Sequence, residues 1–117
     1  MAVEKSLQTG STTMLVLSLL AQEDMYGYQM IEVLSERSDC TFELKAGTLY
    51  PLLKLLEDQG YITSYEQTTE AGRLRKYYHI TDMGKDFLQE KKKEWMTFSQ
   101  AVERVLKGGS DIAKVCG

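Results

Sequence analysis

Basic and hydroxyl side chains are concentrated in two segments of the chain, and the chemistry that this combination performs is the binding of phosphate groups. In the first segment, residues 46–62, Tyr50 and Lys54 lie one helical turn apart on the face away from a row of leucines. The second segment is the short basic run at residues 73–76. We predict a nucleic-acid contact surface made of the following residues: Lys45, Thr48, Tyr50, Lys54, Arg73, Arg75 and Lys76.

The sequence pattern lacks the groups that would support catalysis or metal binding. No nucleophile stands beside a base, no His/Cys spacing matches a metal site, and no glycine-rich phosphate loop occurs. His79 is the only histidine, and no carboxylate or cysteine lies at a useful spacing from it, so we interpret it as a surface residue. We therefore predict that the protein is not an enzyme and uses no cofactor and no metal.

The two cysteines, Cys40 and Cys116, are far apart in the sequence and belong to no metal-binding or redox motif. Free thiols indicate a reducing compartment, so we expect a cytoplasmic protein; a redox-sensing role for either thiol is the alternative. The apolar run at residues 14–21 is about eight residues long, well below the ~20 that cross a bilayer. The N-terminus lacks the pattern of a secretion signal, and we expect no membrane partner.

The overall charge limits the kind of nucleic-acid binding to expect. The chain has 117 residues, a formal charge of −3, 43% hydrophobic residues and 26% charged residues, which is ordinary for one globular domain. A protein that coats nucleic acid non-specifically needs positive charge overall, so this balance argues against that class. A small basic face on an acidic body is compatible with it, because the electric field depends on where the charges lie.

The third helix is the best-defined element that would position the basic residues. Its buried face is indicated by apolar residues at the i, i+3, i+4 and i+7 positions: Leu49, Leu52, Leu53 and Leu56. Gly60 is expected to end the helix, since a helix C-terminus often needs a positive φ. Pro51, the only proline, is tolerated in a first turn, which predicts a helix start near Thr48.

Weaker signals define the other elements, and together they predict an α+β, mainly α, fold of four helices and one hairpin. Thr9 or Ser11 is expected to cap a first helix that ends near Ala21. The remaining elements, in order, are a turn at 22–25, a helix at 27–38, a very short strand at 42–44, hairpin strands at 61–67 and 74–80, and a helix at 82–107. A helix followed directly by a hairpin with a basic tip is typical of a winged helix-turn-helix.

The last helix is too long and too apolar to serve its own domain alone. About 25 residues of helix are about 37 Å long, more than so small a domain covers. Exposure of its second half would leave an apolar strip that soluble monomers avoid, so we predict a two-fold dimer. We assign residues 1–81 to DNA binding and residues 82–117 to the dimerisation helix and tail. The predicted dimer interface is Phe87, Leu88, Trp95, Phe98, Val102, Val105 and Leu106.

Three motifs in this order resemble the PadR-type transcriptional regulators. They are Gly27-Tyr28 at the start of the second helix, Thr48-Leu49-Tyr50-Pro51 in the third, and Tyr77-Tyr78-x-Ile80-Thr81 after the wing. The similarity covers residues from about 7 to 106. It implies a bacterial winged-helix repressor that binds a palindromic double-stranded DNA operator. The single C-terminal helix is similar to that of the small subfamily, in which this helix forms the homodimer.

Trp95 resembles the tryptophan midway along the last helix in the multidrug-sensing branch of this family. There, paired tryptophans across the dimer axis bind flat aromatic compounds, which implies an apolar slot for a planar, hydrophobic or cationic effector. The residues predicted to line it are Trp95, Phe98, Ser99, Leu7, Met14 and Leu17. The alternative is a winged-helix module that binds another protein and senses no small molecule.

Overall fold

The computed structural model describes residues 5–108, with side chains from residue 11 onward, and is mainly helical with one small sheet. The elements of this part are α1 (Lys5–Gln22), β1 (Met25–Tyr26), α2 (Gly27–Arg37), α3 (Ala46–Asp58), β2 (Ile62–Thr68), β3 (Leu74–Ile80) and α4 (Asp82–Lys107). This is the predicted α+β class with a long C-terminal helix. Within these residues no helix is long and apolar enough to cross a membrane.

The α3 helix packs through its leucines, as the sequence predicts. Leu49, Leu53 and Leu56 are buried, and Gly60 adopts a φ of 85° directly after the helix. The helix begins two residues earlier than predicted, at Ala46, because the backbone N–H groups of residues 48 and 49 both donate to the carbonyl of Lys45. Pro51 therefore lies in the second turn, and the prediction that it marks the helix start is wrong.

The sheet is antiparallel with strand order β1-β3-β2. The predicted hairpin is confirmed: β2 and β3 pair along their whole length, with Ile62 opposite Ile80. The two-residue β1 pairs with Tyr77 and Tyr78 on the other side of β3, so part of the segment predicted as a turn at 22–25 is a strand. Because β3 is central, it links the basic tip of the hairpin to the start of α2.

Two sequence-based boundaries differ from the structure. The predicted strand at 42–44 does not form, because the chain turns through Asp39 and Cys40, whose φ angles are 50° and 64°, and Leu44 then enters the core without a ladder partner. The first helix begins at Lys5, so neither Thr9 nor Ser11 is its N-cap. Neither difference moves the elements that carry the basic residues.

The core lies where the four helices meet one face of the sheet. Fully buried side chains come from every helix and from the hairpin, including Leu17, Met30, Leu53, Ile62 and Leu88. Tyr78, on the central strand β3, is only 5% exposed and belongs to this core.

The N-terminal half of α4 is held tightly against the sheet. Thr81 caps the helix, because its Oγ1 accepts the backbone N–H of Gly84 at 3.0 Å. Gly84 is buried so closely that a Cβ there would collide with the backbone carbonyl of Tyr61. Beyond Leu88 the helix leaves the body of the domain, and the described chain reaches a length of 63 Å.

Candidate nucleic-acid interface

The seven residues predicted to contact nucleic acid form two groups rather than one. Lys45 and Thr48 are exposed beside an apolar groove of about 420 Å³ between α1, α3 and the segment that joins α2 to α3. Lys54 lies on the outer face of α3, where its Nζ is 3.7 Å from Asp58 Oδ2. Both side chains of this pair are exposed, so the pair is weak and leaves Lys54 able to exchange Asp58 for a phosphate.

Tyr50 and the three wing cations belong to the second group. They surround a cleft of about 480 Å³ between the wing, the start of α2 and α3, which we term the wing-side cleft. Its lining residues are Tyr26, Gly27, Tyr28, Tyr50, Arg73, Arg75, Lys76 and Tyr78. The sequence predicted the cations and Tyr50 but missed Tyr26 and Tyr28, although these two tyrosines flank Gly27 in the chain.

Two of the three cations of this cleft, Arg75 and Lys76, lie over aromatic rings and not beside carboxylates. The Arg75 guanidinium lies 4.2 Å from the centre of the Tyr26 ring, and Lys76 Nζ lies 5.7 Å from the centre of the Tyr78 ring. Across residues 11–108, neither of these side chains forms an ion pair with a carboxylate, and nor does Arg73. The cleft therefore concentrates positive charge in a chain whose net charge is −3.

Tyr78 forms the buried wall of the wing-side cleft. Burial, reinforced by the Glu57 carboxylate, raises the pKa of Tyr78, which keeps its hydroxyl protonated.

Tyr50 packs across the Cα of Gly27, and a Cβ on residue 27 would collide with the Tyr50 ring. Two of the motifs that carry the family resemblance thus meet in space, and glycine at position 27 leaves room for the Tyr50 ring.

His79 is exposed, in agreement with its interpretation as a surface residue, but it has a carboxylate partner that the sequence did not reveal. Its Nδ1 lies 2.8 Å from Oδ1 of Asp24, and the Tyr65 hydroxyl donates to Oδ2 of the same carboxylate at 2.7 Å. The Tyr65 ring also stacks on Tyr77 at 5.7 Å between centroids. Asp24 is 55 positions from His79, so no local spacing could reveal this contact. The cluster connects the hairpin to the loop before β1. Because the side chains of His79 and Asp24 are partly exposed, we do not interpret them as a catalytic pair.

Acid should weaken this cluster. Burial raises the pKa of Asp24, but the hydrogen bonds from His79 and Tyr65 outweigh it and leave the pKa below its ordinary value. A carboxylate with a lowered pKa stabilises the fold above its unfolded-state pKa, and that stabilisation is lost as the pH falls through the folded-state pKa. We expect Asp24→Asn to lower the stability at neutral pH by up to about 1 kcal/mol and to reduce the loss of stability between about pH 5 and pH 3.

Urea unfolding of both proteins at a series of pH values measures the effect. Asp39→Asn is the matched control, because Asp39 is an exposed carboxylate at a positive φ that asparagine adopts readily. Equal acid sensitivity in the wild type and in Asp24→Asn would contradict the role of the cluster.

The residues predicted for the dimer interface separate into core and surface. Leu88 is buried within the single chain, and Phe87 stacks on Tyr61 at 4.3 Å between ring centroids. We therefore remove Leu88 from the proposed interface, since its own domain covers it, and keep Phe87 only at the margin. The remaining five residues are exposed and form what we term the apolar strip: Trp95, Phe98, Val102, Val105 and Leu106.

The residues predicted to line an effector slot also differ in exposure. Trp95 is 44% and Phe98 55% exposed, and their ring centroids are 6.1 Å apart. Ser99 is half-buried and donates its hydroxyl to the Met96 carbonyl. Leu17 lies in the core of the single chain and is removed from the proposed slot, whereas Met14 is half-buried beside that core. The Leu7 side chain lies outside the described residues.

The remaining candidates for chemistry are few in the part of the chain that the structure describes. Cys40 is exposed with a free thiol, and its Sγ lies 3.6 Å from Ser35 Oγ. Cys116 lies outside that part. No group of three or more His, Cys, Asp or Glu side chains suited to a metal ion occurs between residues 11 and 108. The wing-side cleft and the outer face of α3 are therefore the surfaces with the clearest chemistry.

Fold and surface together define a winged-helix protein with a basic cleft beside the wing. Residues 16–90 match the transcriptional regulator PadR-like family, and the chain belongs to that family. It is thus a transcriptional regulator and not an enzyme. The predicted family resemblance is confirmed, whereas its multidrug-sensing branch stays a prediction.

Similar proteins support the same assignment. A protein of Lysinibacillus sphaericus named uncharacterized protein X is 32% identical over 106 residues, which are 91% of this chain and 97% of that protein. The negative transcriptional regulator PadR of Bacillus subtilis is 30% identical over 79% of this chain but only 48% of its own length. A crystal structure of a PadR-like transcriptional regulator from Bacillus cereus has a TM-score of 0.80 at 30% identity and covers 90% of this chain and 100% of that one.

Proposed function

We propose that this regulator is a homodimeric repressor that binds a palindromic DNA operator through α3 and the wing. The main support is the wing-side cleft, which is lined by three cations without carboxylate partners in the described chain. Repression is proposed from the similarity to the Bacillus subtilis protein named a negative regulator. In this proposal residues 1–81 bind DNA and residues 82–117 carry dimerisation.

The two halves of the basic surface have different proposed tasks. The exposed surface of α3 enters the major groove, with Lys45 and Thr48 at its N-terminal end and Lys54 further along, because a helix there can reach the base edges. The wing, with Arg73 and Lys76, contacts the phosphate backbone or the minor groove, which fixes the register without reading sequence. Two-fold symmetry then requires half-sites about one helical turn apart or a multiple of it.

Dimerisation is proposed from the apolar strip on α4. Val105 and Leu106 are 79% and 78% exposed in the single chain, and the strip continues the stripe that Leu88 begins inside the core. Soluble proteins rarely leave such a row open to water. A second copy of the chain would cover the strip, since a two-fold interface uses the same surface on both subunits.

Small-molecule sensing is proposed on the same helix. If two copies of α4 cross near Trp95, their indole rings face each other and leave a slot between them. Planar cationic compounds suit this slot because they stack on indole and are attracted to its face. Since α4 also sets the distance between the two α3 helices, a ligand that tilts α4 would change the affinity for DNA, and the coupling would be reciprocal.

DNA binding with a steep salt dependence is the decisive expectation. The wild type should shift DNA from its own upstream region at low salt, and Lys54→Ala or Arg73→Ala should weaken binding and lower the slope of log Kd against log salt by about one each. Fluorescence anisotropy at four or five salt concentrations measures both quantities. Lys93→Ala is the matched control, because Lys93 is exposed on the face of α4 opposite the apolar strip.

The same titration separates this function from a protein-interaction module. A module that binds only another protein would leave the upstream DNA unshifted at every salt concentration, and that result would refute the proposed function. Equal slopes for Lys54→Ala, Arg73→Ala and Lys93→Ala would instead refute the assignment of the contact surface.

A further inference from the structure

The wing-side cleft combines positive charge with directed hydrogen-bond donors. Arg75 lies on the Tyr26 ring, so none of its five N–H groups is committed to a carboxylate in the described chain. The side chains of Tyr28 and Tyr50 are also exposed, and neither hydroxyl has a hydrogen-bond partner among residues 11–108. The cleft therefore combines charged and neutral donors whose acceptor is not among these residues.

The wing-side cleft, at about 480 Å³, is wide enough to admit an anion from outside the chain. Its walls come from three separate elements: Gly27 and Tyr28 begin α2, Tyr50 projects from α3, and Arg75 and Lys76 lie on β3. Tyr50 is positioned by its close approach to Gly27, against which both its ring and its hydroxyl oxygen lie within the wing-side cleft. A phosphate accepts charged and neutral hydrogen bonds at once, which matches this mixed set of donors.

We infer that the wing-side cleft is a binding site for one backbone phosphate of the operator, in which Arg75 and Lys76 supply charge and the Tyr50 hydroxyl supplies a directed hydrogen bond. The inference rests on the proposed function and refines it, because Tyr50 acts at the backbone and not at the bases. Gly27 is a positioning residue in this site, since it allows the Tyr50 ring to lie where it does. The site joins α2, α3 and the wing through a single phosphate.

Tyr50→Phe is the variant that isolates the site, because it keeps the ring against Gly27 and removes only the hydroxyl. We expect roughly tenfold weaker operator binding with an unchanged salt slope, since a neutral donor releases no counterion. Arg75→Gln should weaken binding and also lower the slope by about one. Tyr65→Phe is the matched control, because the Tyr65 hydroxyl is committed to Asp24.

A scan of the operator with single methylphosphonate substitutions, each of which makes one phosphate neutral, tests the contact directly. The substitution should weaken wild-type binding at each phosphate that the protein contacts, and at one of these positions per half-site Tyr50→Phe should cause little further loss. If Tyr50→Phe weakens binding equally at every substituted position, or if it binds as tightly as the wild type, the phosphate site is wrong although the wild type still binds DNA. Absence of wild-type binding would instead indicate failure of the proposed function.

Free phosphate is the other source of the same chemistry, and a competition experiment separates the two. At equal ionic strength, inorganic phosphate should displace the operator no better than chloride does, because the site is built around a phosphate fixed between α3 and the wing. Stronger displacement by phosphate from the wild type, but not from Arg75→Gln, would assign the cleft to a free anion and overturn the inference.

Discussion

Replacing Val102 and Val105 together by aspartate is expected to convert the protein into monomers or into insoluble protein. Val105 is 79% exposed in the single chain, so the charges should disturb the fold of that chain little. In a two-fold dimer the same positions face an apolar partner, and each uncompensated buried charge costs several kcal/mol. Because both subunits carry both substitutions, four charges would enter one dimer interface. That number is enough to prevent association at any practical concentration.

Sedimentation at micromolar concentration measures this outcome, with circular dichroism as a check on the fold. Arg104→Asp is the matched control: it changes the charge by the same two units, on a residue that is exposed on the opposite face of α4. The control should remain dimeric. A wild type that sediments as a stable monomer would contradict the dimer, and a double variant that sediments as a dimer would move the interface away from the apolar strip.

The elements that the sequence predicted correctly are those defined by local patterns. The leucine spacing of α3 and Gly60 at its end both depend on neighbours within a turn or two, and both are present. The β1 strand was missed because two residues have no period of their own, and their strand character comes from pairing with Tyr77 and Tyr78 about fifty positions later.

The contact surface was predictable in composition but not in arrangement. The sequence identified Tyr50 and Lys54 as neighbours on one helical face, yet the structure turns Tyr50 toward Gly27 and the wing while Lys54 faces outward. The contact between Asp24 and His79 was missed for the same reason, since it joins a loop to a strand. Contacts between elements depend on how the helices pack, and no spacing within one element specifies that.

The periodicity of α4 shows a further limit of sequence reasoning. Leu88 and Val105 belong to one stripe of apolar residues at steps of three and four, but Leu88 is 1% and Val105 79% exposed. A stripe indicates that one face of a helix will be covered and does not indicate what covers it. The stripe changes its role where α4 leaves the body of the domain. Before that point its residues pack in the core of the same chain, and beyond it they are exposed and available to a partner.

Planar cationic dyes are expected to quench the emission of Trp95, and Trp95→Ala is expected to abolish dye binding while it leaves DNA binding largely intact. Trp95 is the only tryptophan, so its emission reports on a single place in the subunit. The ring is 44% exposed and lies 6.1 Å from the Phe98 ring, which leaves an aromatic face open to stacking. Few directed hydrogen bonds are available there, so we expect micromolar affinity with loose selectivity.

Titration with ethidium and a Hoechst-type dye, followed by tryptophan emission and by calorimetry, tests this site. Met96→Ala is the matched control, because Met96 is an equally exposed neighbour that lies outside the apolar strip, and it should bind the dyes as the wild type does. If the dyes occupy a slot at the dimer axis, the Val102→Asp and Val105→Asp double variant should lose them even though Trp95 is present. Unchanged emission across the dyes would reduce Trp95 to an interface residue, whereas dye binding by the monomeric double variant would show that one subunit suffices and that the slot does not require the dimer.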